Sequence, residues 1–190
     1  ARRVAGLYVI VDPQVTKGRN PVEIGAAALR GGATAIQYRD KLSDKGDQLP
    51  IICHLRDLCE AHNAVLIVND HADLAIASGA LGLHPGQHDL PIAEARKLLH
   101  PWQFIGASSA MLSEAETSIS HGADYIAVGA MYDTSSKANT RAAGIESLSQ
   151  ICSQIIDIPI VAIGGITLSN VDPILTAGAD GICVISAIGQ

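Results

Sequence analysis

Eight short apolar runs, each separated from the next by a stretch of helical patterning, constrain the fold of this chain more than any other feature. They are Leu7–Val11, Ala35–Tyr38, Val65–Val68, Leu81–His84, Phe104–Ala107, Tyr125–Val128, Ile160–Ile163 and Ile182–Ile185. Runs so continuous in Val, Ile and Leu belong to strands covered on both faces, as in parallel sheets. Parallel neighbours need a crossover, and the intervening segments have helical length. Eight such units imply an α/β fold that closes into a parallel (β/α)8 TIM barrel. An open doubly wound sheet is the alternative with the same element order. With 190 residues the chain can bury one full core and is short for two, so residues 1–190 are read as a single domain.

Local signals agree with this pattern. Asn20-Pro21-Val22-Glu23 reads as an N-cap, a proline at the first helical position and an acid two residues on, with Gly31 and Gly32 stopping the helix. The tract Gly-Ala-x-x-(Ile/Leu) occurs at Gly32, Gly79, Gly122 and Gly178. Each copy is a helix stop running into a strand, and successive copies lie about two βα units apart, so four double units make eight. No linker, charge run or low-complexity tract interrupts the series. The last run is followed only by a few residues to Gln190, so the helix that closes the final unit is expected to be missing from this sequence.

Composition narrows the function. A formal net charge of −6 argues against a nucleic-acid surface, yet a few local Lys and Arg suffice for a phosphorylated small substrate. Cys53, Cys59, Cys152 and Cys183 contain no C-x-x-C spacing, which argues against zinc, and scattered thiols fit a reducing cytoplasm. No apolar run approaches the roughly 20 residues of a membrane helix, and no signal peptide is visible at the start. The expected setting is cytoplasmic, with no membrane partner.

Barrel chemistry sits at the C-terminal ends of the strands, so the polar residues after each run are the candidates. At the end of the second run, Gln37, Arg39 and Lys41 alternate onto one side. Two cations and an amide aimed at one place suit a polyphosphate; a solvated loop with salt bridges to Asp40 or Asp44 is the alternative. Asp70 and Asp89 come from adjacent strand ends, where two carboxylates could hold Mg²⁺. For Asp70 an N-cap role is the alternative. His84 and His88 lack a third soft ligand for a transition metal. Ser108 and Ser109 offer hydroxyls for a ring nitrogen or a helix cap, and the G-x-S-x-G pattern of a nucleophile elbow is absent. The stretch from Thr134 to Arg141 is hydroxyl-rich and basic, a lid over phosphate or a solvated loop. Gly164-Gly165 and Ile185-Ser186 follow the seventh and eighth runs, where barrels often bind phosphate through backbone N–H groups; a tight turn is the simpler reading.

Taken in order, these tracts resemble the thiamine phosphate synthase family over essentially the whole chain. Q-x-R-x-K appears as Gln37, Arg39 and Lys41, and V-N-D as Val68-Asn69-Asp70. H-x-G-Q-x-D appears as His84, Gly86, Gln87 and Asp89, and G-x-S as Gly106 and Ser108. G-A-D-Y is present at 122–125, T-x-(T/S)-K as Thr134, Ser136 and Lys137, followed by I-G-G-I and I-S-A-I. The resemblance implies an enzyme, a Mg²⁺-dependent transferase. Its substrates would be hydroxymethylpyrimidine diphosphate and thiazole phosphate, its products thiamine phosphate and diphosphate. It further implies that Arg39, Lys41, Asn69 and Lys137 hold the diphosphate and that Asp70 and Asp89 bind Mg²⁺. Gln37, Ser108 and Tyr8 would face the pyrimidine, Thr134 and Ser136 the thiazole, and Gly164, Gly165, Ile185 and Ser186 its phosphate. Arg39, Lys41, Ser108 and Lys137 are the catalytic candidates. Diphosphate would leave first, giving a pyrimidine-methyl cation that the thiazole nitrogen captures.

The chain departs from that family at four positions. Ala110 stands where a His is frequent, His71 where an Arg or acid is, Asp133 where a proline precedes Thr134, and Ala130 where a proline follows the glycine of the sixth strand. Asp133 places a negative charge near the diphosphate loop. A thiazole tautomerase-like relative would rely on the His replaced by Ala110, and His71, His84 and His88 are expected to lie too far round the rim to substitute for it. A non-catalytic phosphate-ligand-binding barrel would not need the diphosphate set. The implied partners are the two small-molecule substrates; homo-oligomer formation is left open by the sequence.

Overall fold

The structure is a computed structural model that describes residues 2–134 and 141–189. Its strands are β1 (Gly6–Val11), β2 (Ala35–Tyr38), β3 (Val65–Asn69), β4 (Gly82–His84), β5 (Phe104–Ser109), β6 (Tyr125–Gly129), β7 (Ile160–Ile163) and β8 (Gly181–Val184). All neighbours are parallel, they pair in chain order, and β8 returns to β1, so the sheet is a closed barrel and not an open one. The strand boundaries sit within two residues of the apolar runs. Between the strands lie α1 (Pro21–Arg30), α2 (Lys45–Ala61), α3 (Ala72–Ser78), α4 (Ile92–Leu98), α5 (Leu112–Ser120), α6 (Gly144–Gln154) and α7 (Asp172–Thr176). One turn of helix, α8 (Ser186–Gly189), follows β8 directly. The expectation that the last helix is missing is corrected to this extent: four residues are enough to start it.

The helix boundaries follow the sequence signals for physical reasons. Asn20 caps α1, its side chain accepting a hydrogen bond from Val22 N at 2.9 Å, and Pro21 sits where a helix needs no N–H donor. The four glycines of the repeated Gly-Ala tract all take left-handed backbone angles, with φ of 93° at Gly32, 70° at Gly79, 101° at Gly122 and 96° at Gly178. Each ends a helix and turns the chain into an even-numbered strand.

The period-two alternation of the strands divides the core in two. Val9, Val11, Ile36, Tyr38, Leu66, Val68, Ile105, Ile126 and Val128 face outward and pack under the helices. Tyr8, Ile10, Ala35, Val65, Ile67, Phe104, Tyr125, Val161 and Cys183 fill the barrel interior. The chain has one Phe and four Tyr, so the Phe and two of the four Tyr lie inside the barrel. Two glycines make room for them. A Cβ on Gly82 would meet the Phe104 ring at 2.6 Å, and one on Gly106 would meet Tyr125 Cζ at 2.0 Å. Among the described residues no helix is long and apolar enough to cross a membrane.

Candidate functional site

The inward positions that end the strands carry polar side chains in place of the apolar interior, because the alternation that buries Ala35 and Val65 also aims Gln37 and Asn69 inward. They open onto a cavity of about 620 Å³ at the C-terminal end of the barrel. Tyr8, Gln37, Arg39, Lys41, Asn69, Asp70, Asp89, Ser108, Thr134, Gly164, Gly165, Ile185 and Ser186 all line it. Ser136 and Lys137 lie outside the described residues.

Charge is arranged in pairs. Arg39 is ion-paired with Asp12, whose side chain is 1% exposed, and Lys41 with Asp70. Neither cation uses Asp40 or Asp44, as the solvated-loop alternative required. Asp40 instead accepts from Tyr38 Oη and from the N–H groups of Leu42 and Ser43. Asp70 does not cap α3: that helix starts after His71, and Asp70 Oδ1 accepts from Gly86 N at 3.1 Å. Asp89 Oδ2 accepts from the same N–H at 3.0 Å, so the two carboxylates converge on one backbone donor. Burial works to raise the pKa of Asp70, but the bonds to Lys41, Asp89 and Gly86 outweigh it and hold the group below the usual carboxylate range. Asp89 is pushed up, by burial and then by the neighbouring Asp70 charge. Two crowded carboxylates facing a cavity, one of them reluctant to ionise, are a donor set that a hard divalent cation relieves. Among the described residues no three His, Cys, Asp or Glu side chains gather in a way that could hold a metal ion.

Beneath the cavity a line of hydrogen bonds crosses the barrel. Gln37 Nε2 donates to Tyr8 Oη at 2.6 Å, Tyr8 Oη and Tyr125 Oη are 3.1 Å apart, Tyr125 Oη meets His84 Nδ1 at 2.8 Å, and His84 Nε2 meets Ser108 Oγ at 2.9 Å. His84, which ends the fourth strand, therefore reaches the fifth strand at Ser108. Both residues point inward on adjacent strands, and inward side chains meet across the interior even where the loops above them diverge. Sequence reasoning also passed over Asp12 and Tyr125. Asp12 is the first polar residue after β1, so the rule that found Gln37 and Asn69 would have found it. Tyr125 stood in G-A-D-Y with no role attached.

On the far wall, Ala110 lines the cavity and its N–H donates to Glu114 Oε2 at 2.8 Å; Glu114 is also ion-paired with Arg141. Burial works to raise the Glu114 pKa, but the Ala110 N–H and the Arg141 charge hold it down. At the rim, Gly164 and Gly165 have φ of 104° and 67° and pack against the chain from Ala130 to Asp133. Side chains at either glycine would collide with that segment, so the bare backbone faces the cavity.

Paired cations, converging carboxylates and glycine turns around one cavity suit a phosphorylated small molecule, and a phosphate-ligand (β/α)8 barrel is the class that fold and site define. Comparison with known proteins narrows this. The family model described as thiamine monophosphate synthase matches residues 7–188. The thiamine-phosphate synthase of Methanospirillum hungatei is 44% identical over 184 residues, spanning 96% of this chain and 89% of that one. That of Coprothermobacter proteolyticus is 42% identical over 182 residues, spanning 96% and 86%. The solved thiamine phosphate pyrophosphorylase from Pyrococcus furiosus has a TM-score of 0.91 and 39% identity, covering 100% of this chain and 90% of that one. The chain belongs to the thiamine monophosphate synthase family.

Proposed function

We propose that the chain joins hydroxymethylpyrimidine diphosphate to thiazole phosphate in a reducing cytoplasm, giving thiamine phosphate and diphosphate. The observation that carries this reading is the convergence of Asp70 and Asp89 on Gly86 N beside Lys41, with Arg39 lining the same cavity. Asp70 and Asp89 would hold Mg²⁺, which supplies positive charge to a leaving diphosphate. Lys41 and Arg39 grip the diphosphate oxygens, and Asp12 keeps the guanidinium aimed. Gln37 and Ser108 face the pyrimidine, Tyr8 supports them from below, and Asn69 and Lys137 complete the diphosphate grip. Thr134 would contact the thiazole, as would Ser136, which lies outside the described residues, and the Gly164-Gly165 and Ile185-Ser186 backbones would take its phosphate. The bond from the pyrimidine methylene carbon to oxygen breaks with its electrons going to diphosphate, and the thiazole nitrogen lone pair forms the new C–N bond. The apolar barrel wall excludes water that would trap the cation.

A tautomerase reading is less well supported. Ala110 occupies the wall where proton exchange would be needed, and it carries no titratable group.

Diphosphate release tests the reading. It should need both phosphorylated substrates and Mg²⁺ and stop in EDTA. Asp89→Asn should cut turnover strongly, with partial recovery at high Mg²⁺, because the remaining ligands can still be filled by mass action. Full release in EDTA would contradict a metal role.

A further inference from the structure

A hydroxyl carries one proton, so a chain of hydroxyls can be ordered in only two directions. In the line Gln37–Tyr8–Tyr125–His84–Ser108 the direction is set at the Gln37 end. Gln37 Nε2 can only donate, so the Tyr8 oxygen accepts. The other hydrogen-bond partner of Tyr8 Oη among the described residues is Tyr125 Oη, so the Tyr8 proton goes there. The Tyr125 proton then goes to His84 Nδ1. A neutral His that accepts at Nδ1 carries its proton on Nε2, and that N–H donates to Ser108 Oγ. The Ser108 proton is left to point into the cavity, while Gln37 Oε1 has no partner among the described residues. With the Gln37 amide nitrogen facing Tyr8, the reverse order would bury the Tyr8 hydroxyl proton without an acceptor, at a residue that is 1% exposed. Burial pushes both phenols above their usual range, so both keep their protons.

We infer that Tyr8, Tyr125 and His84 are positioning residues forming a one-way hydrogen-bond chain. It presents Ser108 as a donor and Gln37 Oε1 as an acceptor, selecting a heteroaromatic ring with an unprotonated nitrogen at one end and an N–H at the other. An aminopyrimidine has both, so the inference rests on the proposed function for its ligand but not for its proton order. Gly106 belongs to the device, because only a residue without Cβ admits the Tyr125 ring beside Ser108.

The test is ¹⁵N NMR of ligand-free, histidine-labelled protein. The His84 signal, one of seven histidines, is assigned by its loss in His84→Gln. The wild type should show neutral His84 protonated on Nε2, and Tyr125→Phe should raise the population protonated on Nδ1. In kinetics, Tyr125→Phe and Ser108→Ala should each raise KM for the pyrimidine diphosphate about tenfold, equivalent to one lost hydrogen bond. The double variant should be no worse than either single one, and KM for thiazole phosphate should hold. A wild-type His84 that is protonated on Nδ1, or charged, would overturn the inference whether or not the variants fold; so would additive losses. An Nε2-protonated His84 in a protein that makes no thiamine phosphate would support the chain and overturn the proposed function instead.

Discussion

Asp12 fixes where Arg39 points. Its carboxylate is almost wholly buried, holds the guanidinium and also accepts from Gln14 N at 2.9 Å. Asp12→Ala would leave a partly buried cation and an N–H without their acceptor, and should cost about 3 kcal/mol in urea unfolding. An unchanged midpoint would show that the pair is incidental. Residues such as Gln37, Arg39 and Ser108 were legible in the sequence because each stands at the end of an apolar run in a phase that the strand period fixes, while Asp70 was legible only as a carboxylate just past the end of β3. Partners were less legible. That Arg39 would find Asp12, from a strand 27 residues earlier, and not the adjacent Asp40, depends on β1 lying beside β2. The reach of His84 to Ser108 likewise depends on interior packing, which a list of strand ends does not contain.

At the scale of elements, β5 and β6 are fitted to each other through Gly106 and Tyr125. Gly106→Ala places a methyl within 2.0 Å of the Tyr125 ring, and overpacking of this kind costs about 1–3 kcal/mol. The variant should show a lowered Tm and a disturbed Ser108. A Tm within error of the parent would mean the ring moves freely, against the fit described. Glu114 lies in the first turn of helix α5, and its carboxylate accepts from Ala110 N near the positive end of the helix and pairs with Arg141. Its pKa is lowered on folding, so its contribution is present above the unfolded carboxylate pKa and lost as pH falls through the folded value. The group is partly exposed and screened, so Glu114→Gln should cost only about 0.5 kcal/mol at pH 7. The difference from wild type should vanish well below about pH 4. A gap that persists in acid would point to shape and not charge. The helix stops were readable in advance because glycine at a left-handed position is a local signal, whereas the Glu114–Arg141 contact joins residues 27 positions apart.

For the whole molecule, the barrel was readable because eight apolar runs with helical crossovers leave few ways to close a core, and β1 pairing with β8 is the outcome. What the sequence reading could not settle was closure itself: an open sheet has the same element order, and only the β1–β8 ladder separates the two. The turn of α8 was likewise hidden, since four residues carry no helical period. The proposed function rests on one cavity in which carboxylates, cations and polar side chains meet from different strands. The most direct measurement is mass detection of product after the chain is incubated with hydroxymethylpyrimidine diphosphate, thiazole phosphate and Mg²⁺. The account predicts thiamine phosphate, formed in step with diphosphate and absent when either substrate is withheld. Folded protein that consumes neither substrate, or that releases diphosphate without forming thiamine phosphate, would contradict it.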